Sequence, residues 1–206
     1  NFVRCLLPEP GVGLRVGGDF TSVGTMGVWG VALWTGSTWV SNSGLRPVNA
    51  LARFDDGSGG GQRLYAGGAF AISNSGCAGL ARLGVAAWQP VGTLDGIQGI
   101  GPFLETAMLG VTGVSQACDG LYFVSGVGIA GDTRALGIAR YDGERWHAMG
   151  FGVDTSAGPR CITTFDSGAG LEIYVGGSLL GGGGPPSSRI VRWNGTQWLS
   201  AGTALN

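Results

Sequence analysis

One spacing occurs four times in this chain of 206 residues. An aliphatic residue stands eight positions before a tryptophan in Val31–Trp39, Leu80–Trp88, Ile138–Trp146 and Ile190–Trp198, and the tryptophans are 49, 58 and 52 residues apart. A second motif travels with the first. Leu14-Arg-Val-Gly-Gly18, Leu64-Tyr-Ala-Gly-Gly68, Leu121-Tyr-Phe-Val-Ser-Gly126 and Ile173-Tyr-Val-Gly-Gly177 begin 50, 57 and 52 residues apart. A repeat of that length is one supersecondary unit that cannot bury its apolar surface alone and stacks on its neighbours to do so.

Each copy reads as four short strands. The first is an apolar run: Phe2–Leu7, Val48–Phe54, Pro102–Leu109 and Cys161–Phe165. Gly-rich turns such as Asp55–Gly59 and Asp166–Gly170 lead to the Gly-Gly motif as second strand, and a variable loop leads to the third. The fourth carries the tryptophan, after tight turns whose signals are Asp142-Gly143 and Asn194-Gly195. A two-residue turn at Asp142-Gly143 pairs Ala139 with Trp146, and the same count pairs Ala32 with Trp39, Ala81 with Trp88 and Val191 with Trp198. That register predicts a small residue opposite every tryptophan, where side chains are about 4.5–5.5 Å apart. Leu83-Gly84-Val85 departs from the turn pattern in the second copy.

In Ile138–Tyr141, Ala139 and Tyr141 share the tryptophan face while Ile138 takes the other. A strand apolar on both faces lies between two layers, and four-stranded units stacked face to face around an axis are propeller blades. No segment sustains a helical apolar period. The expected fold is all-β: a single β-propeller domain of four four-stranded antiparallel blades, at approximately 1–46, 47–96, 97–156 and 157–206. The copies fill the chain, leaving no strand to swap between first and last blades. Two architectures remain: a closed four-bladed ring, or four blades of a larger or multi-chain propeller. The open form would leave an apolar face at each end and favour head-to-tail association.

Composition agrees with a packed β domain. A chain this long buries roughly 70% of its unfolded surface without help from a metal or disulfide. Glycine is 43 of 206 residues, yet apolar residues are 44% and proline only 8, which excludes disorder. Charged residues are 12%, the net charge is −1, and all 12 basic residues are arginine with no basic run. Nucleic acid and anionic membrane surfaces are therefore poor partners. No apolar run is long enough for a membrane-spanning helix. The chain begins at Asn1 and reads as a mature or excised segment whose first residues already lie inside a repeat. Its low charge and Gly/Ser-rich surface suit a secreted, extracellular or cell-surface setting.

The paired motifs resemble kelch-like propeller repeats, in which an apolar strand ends in Gly-Gly and a tryptophan follows. They are most similar to the Leu-Tyr-Val-Gly-Gly-x-Phe … Ile-Ala-Arg-Trp-Asp-Gly-x-x-Trp repeats of large secreted bacterial proteins. The residues concerned are Leu64–Phe70 with Leu80–Trp88, Ile173–Gly177 with Ile190–Trp198, and Leu14–Phe20 with Val31–Trp39. The third copy departs, with Ser125-Gly126 for Gly-Gly and a longer stretch near Thr112–Asp119. The resemblance implies a fold strongly and a function weakly. Kelch-type propellers include a copper oxidase, but its His-rich ligands have no counterpart here.

Candidate chemistry is sparse. The one histidine, His147, would need a nucleophile and an orienting carboxylate in reach to act as a catalytic base; the sequence suggests neither, and it reads as a strand residue near the rim. Asp55-Asp-Gly-Ser-Gly59 offers oxygen donors but no glutamate at ligand spacing, so it reads as an Asx turn rather than a calcium loop. Gly181–Gly184 before Pro185-Pro186 lacks the Lys-Ser/Thr of a phosphate loop, and Val16–Asp19 reads as the repeat's own turn. Four of the seven tryptophans recur at one repeat position and are core residues. Trp29 stands outside that pattern and is the candidate ligand-contacting aromatic. Cys5, Cys77, Cys118 and Cys161 are candidate disulfide cysteines, at least one bridge being expected of a secreted protein, with connectivity open. Asn194-Gly-Thr196 is the one glycosylation sequon, in a turn that its Asn-Gly role also explains.

The sequence thus predicts no enzyme and no cofactor. It points to a non-catalytic extracellular structural or assembly module, with self-association or a protein partner. The alternative is a carbohydrate- or protein-binding propeller that uses its rim loops, which clustered exposed aromatics in the Gly18–Val31 and Gly68–Leu80 loops would favour.

Overall fold

The computed structural model describes residues 1–42, 44–72, 78–91, 107–112, 118–124, 129–130, 133–153, 159–168, 170–179 and 189–201. Among them there is no helix. The first sheet is β1 (Phe2–Glu9), β2 (Gly13–Asp19), β5 (Val31–Trp34) and β6 (Trp39–Ser41), with β3 (Ser22–Val23) and β4 (Met26–Gly27) as a small ribbon between β2 and β5. The second is β7 (Ala50–Phe54), β8 (Arg63–Ala71), β9 (Ala78–Leu83) and β10 (Trp88–Pro90). The third is β11 (Ala107–Val111), β12 (Gly120–Val124), β15 (Ile138–Tyr141) and β16 (Trp146–Ala148), with the ribbon β13 (Ile129–Ala130) and β14 (Thr133–Arg134). The fourth is β17 (Pro159–Asp166), β18 (Leu171–Gly177), β19 (Ile190–Trp193) and β20 (Trp198–Ser200). All four sheets are antiparallel meanders.

The last hairpin of each sheet corrects the sequence-based register. Trp146 pairs with Tyr141, not Ala139; Trp39 pairs with Trp34, Trp88 with Leu83 and Trp198 with Trp193. A large side chain therefore opposes every tryptophan. Three of the pairs stack as tilted rings with centroids 5.2, 5.2 and 5.3 Å apart. The reason lies in the turn. The Asp142 carboxylate accepts the N–H groups of both Glu144 and Arg145 at 2.9 Å, and Asn194 Oδ1 accepts those of Thr196 and Gln197 at 3.0 Å. These bonds satisfy backbone donors in a four-residue loop, so the tight two-residue turn is not needed. The register moves by two residues, which leaves every side chain on the face the sequence predicted. The second copy, despite lacking Asp-Gly, closes its loop the same way, Gly84 N–H donating to the Ala87 carbonyl at 2.9 Å.

In the third copy the described part of the first strand is Ala107–Val111; Pro102–Thr106, like Ser125-Gly126, lies outside the described residues. One other expectation changes. Val16–Asp19 is strand rather than turn. Its glycines are there for close approach: a β-carbon on Gly18 would sit 2.1 Å from the Phe2 carbonyl oxygen, and one on Gly68 2.2 Å from that of Pro47.

Stacking of the sheets follows one rule. The tryptophan face of each later sheet packs on the opposite face of the sheet before it. Leu51, Leu64, Ala66, Ala81 and Trp88 of the second sheet meet Val31, Cys5 and Leu7 of the first. Leu121, Ala139, Tyr141 and Trp146 of the third meet Ala50, Ala52, Phe54 and Tyr65 of the second. Ile173, Val175, Val191 and Trp198 of the fourth meet Val111, Tyr122, Val124 and Ile138 of the third. The first strands line up, β1 beside β7, β7 beside β11 and β11 beside β17.

An indole hydrogen bond crosses two of these junctions. Trp88 Nε1 donates to the carbonyl of Asn42 at 3.0 Å, and Trp198 Nε1 to that of Met149 at 2.9 Å. Each acceptor lies three residues after the tryptophan of the preceding sheet. Trp146 is equally buried, but its Nε1 has no partner among the described residues. Trp198→Phe is therefore expected to cost about 1 kcal/mol more unfolding free energy than Trp146→Phe. Equal losses in parallel urea titrations would contradict the latch.

Candidate functional site

Most of the charged side chains that are buried gather at one end of the sheets, in a constellation built from both repeat motifs. The second residue of the Leu-Tyr motif and the arginine of the third strand are cross-strand neighbours: Tyr65 with Arg82, Tyr122 with Arg140, Tyr174 with Arg192. Both lie on the face away from the tryptophan and aim at an acceptor beside the first hairpin. In the second sheet Tyr65 donates to Asp56 at 2.9 Å and Arg82 ion-pairs with the same carboxylate. In the fourth, Tyr174 donates to Glu172 at 3.1 Å and Arg192 pairs with it. In the third, the backbone substitutes: Tyr122 donates to the Cys118 carbonyl and Arg140 to that of Asp119, both at 2.6 Å.

The first sheet inverts the scheme. Arg15 occupies the tyrosine position and Leu33 the arginine position. Arg15 reaches the buried Glu9 at 2.8 Å, and Arg53 of the second sheet reaches it across the junction at 2.6 Å. The ion pair thus ties two sheets together.

The electrostatics follow from burial and pairing. Burial alone would raise the Asp56 carboxyl, but hydrogen bonds from Ser58, Arg82 and Tyr65 hold it well below its usual range. Burial and the Asp56 carboxylate both push the Tyr65 phenol upward. Burial would raise Glu9 also, and its bonds to Arg53 and Arg15 outweigh that. An acid held down beside a phenol held up leaves neither near neutral pH, where general acid–base catalysis works best.

The sequence-predicted residues fall in separate places. His147 lies half-buried on β16, its Nε2 2.5 Å from Asp142 Oδ2. Burial opposes ionisation of Asp142, yet the Arg145 N–H and His147 bring it down to about 2. Asp55 and Asp56 make Asx turns, accepting from Gly57 at 3.0 Å and Ser58 at 3.1 Å. No group of three metal-ligating side chains occurs among the described residues. Trp29 is 60% exposed between β4 and β5, while Phe20 and Phe70 are buried, so no aromatic cluster forms in those loops among the described residues. Asn194 is exposed in its turn, with Oδ1 occupied by backbone donors. Gly181–Pro186 lies outside the described residues.

The expected disulfide is not formed by the described cysteines: Cys5, Cys118 and Cys161 are all free. Cys77 lies outside the described residues. Cys5 and Cys161 sit opposite Gly17 and Gly176, at the same place in the first and last sheets. They therefore face the same way along the stack and do not face each other. Burial against the second sheet pushes the Cys5 thiol up to about 12, whereas Cys161 is exposed.

The rim constellation escaped the sequence reading. Its signal was present: a tyrosine in one motif and an arginine in the other recur on the same face in three copies. No family model, curated protein or solved structure matches the chain.

Asp56→Asn is expected to lower stability by about 3 kcal/mol, the low end for one partner of a buried ion pair. Because the folded carboxyl is held below its ordinary value of 3.8, its stabilisation is full above that value and fades as pH falls further. The variant should therefore lose less stability on acidification than the parent. Denaturant titrations from neutral pH down to pH about 3 read both effects, and parallel acid limbs would contradict the assignment.

Proposed function

We propose that this chain is a non-catalytic, extracellular structural and assembly module: four blades of a β-propeller of the kelch-like type. The carrying observation is that the stack ends on two incompletely covered apolar faces. Val3 and Leu6 are exposed on the tryptophan face of the first sheet, and Phe165 and Ile190 on the opposite face of the fourth. Interior first strands such as β7 are almost wholly buried. Contiguous exposed apolar surface at the ends of a repeat array is a site of protein association. The rim supports this reading, since its acids, arginines and tyrosines are spent on one another and on a sheet junction. Low charge supports the extracellular setting.

In solution the purified chain is expected to run heavier than its 20.9 kDa protomer. Static light scattering over a wide concentration range checks this, and a protomer mass throughout would contradict it.

A second reading, a ligand-binding propeller, is favoured by the exposure of Trp29. It would bind carbohydrate or protein through the rim loops, without a cofactor. On the assembly reading, Trp29→Ala leaves solution mass and melting temperature unchanged. A glycan that binds the parent on an array and is lost in this variant would favour the second reading instead.

A further inference from the structure

The two end faces are halves of one junction. We infer that a second copy of this chain covers both, closing a ring of eight sheets in which the fourth sheet of each copy packs on the tryptophan face of the other's first sheet. This rests on the assembly reading and names its partner and its contacts.

The three internal junctions supply the template. At the first, Cys5 lies opposite Gly17, and a β-carbon on Gly17 would stand 2.5 Å from Cys5 Sγ and 3.2 Å from Leu51 of the second sheet. In the fourth sheet Cys161 lies opposite Gly176 in the same way, and it is exposed. Leu51 heads the cross-strand row Leu51–Ala66–Ala81. Its equivalent in the first sheet heads the row Leu6–Val16–Ala32, and Leu6 is 58% exposed. Cys161 and Gly176 of one copy are thus matched to Leu6 of the other.

A second pair of positions is complementary as well. Glu9 on the outgoing face meets Arg53 on the incoming face at the first junction. At the second junction the same positions hold Phe54 and Gly110, the β-carbon site of Gly110 lying 3.4 Å from Phe54 Cβ. The terminal halves hold Phe165, 57% exposed, and Pro8. An apolar ring over an apolar, small residue repeats the second junction, with no charge at this pair of positions.

The indole latch extends too. Ala201 lies three residues after Trp198, and its N–H donates to the Ile190 carbonyl as that of Asn42 does to Val31, both at 3.2 Å. Its carbonyl occupies the place of the Asn42 and Met149 acceptors. No preceding sheet packs on the face of Trp39 among the described residues, and its indole fits that carbonyl in the other copy. Two copies related by a twofold axis make two identical junctions, with no end left to propagate. Eight four-stranded sheets lie within the range of about four to eight over which such rings close.

The test is sedimentation velocity on the intact chain and on two variants, Leu6→Arg and Phe165→Arg. Both side chains are exposed in the protomer, so both variants should keep the parent's circular dichroism and melting behaviour. The parent is expected at twice the protomer mass. Either variant alone is expected at protomer mass, because every junction contains one of each residue. A mixture of the two retains one intact junction and should give a weaker one-to-one complex. Trp39→Phe removes a latch from each of the two junctions and should raise the dimer dissociation constant about thirtyfold. Long polymers, or a dimer indifferent to both arginine variants, would overturn the eight-sheet ring while sparing the assembly reading. A parent that is a protomer at all concentrations would overturn both.

Discussion

The packing of a tryptophan-bearing sheet face on the back of the sheet before it is the contact on which this molecule depends. A four-stranded sheet of short strands has two apolar faces and cannot stand alone. Each junction covers one face of each of two sheets, and three of the four clusters of buried side chains lie between sheets, the fourth packing the first sheet's tryptophan face under its own β3–β4 ribbon. Stability of such an array is a sum over neighbours. Direction comes from the tryptophan: its ring opposes a large cross-strand partner, and in the second and fourth sheets its indole N–H selects one carbonyl of the sheet before. Every sheet thereby acquires an incoming face and an outgoing face.

Around that apolar contact the described acids, arginines and tyrosines of the rim are paired with one another or with backbone carbonyls. The Tyr–Arg–acid set sits where the first hairpin, the second strand and the third strand converge. Its geometry survives three replacements: aspartate by glutamate, carboxylate by backbone carbonyl, and tyrosine by arginine. What is retained is a satisfied acceptor at the mouth of each junction. At Glu9 the set reaches into the next sheet. At Asp56 the next sheet reaches back: Gly143, with φ of +110°, brings its turn so near that a β-carbon would stand 2.3 Å from the Asp56 carbonyl oxygen. Only glycine meets both demands.

Much of the architecture was legible in the sequence because repetition reports it. The recurrence of Leu-Tyr-x-Gly-Gly and of the tryptophan spacing gave strand order, face parity and approximate sheet limits. Register was misread at Asp142 and Asn194, since a dipeptide that favours a tight turn also carries a side chain able to hold a wider one. The error spared the faces because strand parity has a period of two. Cys5 and Cys161 show a different limit: their equivalence was readable, but whether the first and last sheets meet was not. The rim constellation needed cross-strand neighbours, such as Tyr65 with Arg82, that are far apart in the chain and become visible only once the middle pairing of each sheet is known. Trp29 was legible as an exception to the repeat and is indeed exposed.

Indole hydrogen exchange and through-space contacts, read by nuclear magnetic resonance on the intact chain, test the directional stacking most directly. The account predicts slowly exchanging Nε1 protons for Trp88 and Trp198, with contacts to the Asn42 and Met149 backbones of the preceding sheets. Solvent-rate exchange at both, or contacts confined to their own sheets, would contradict it.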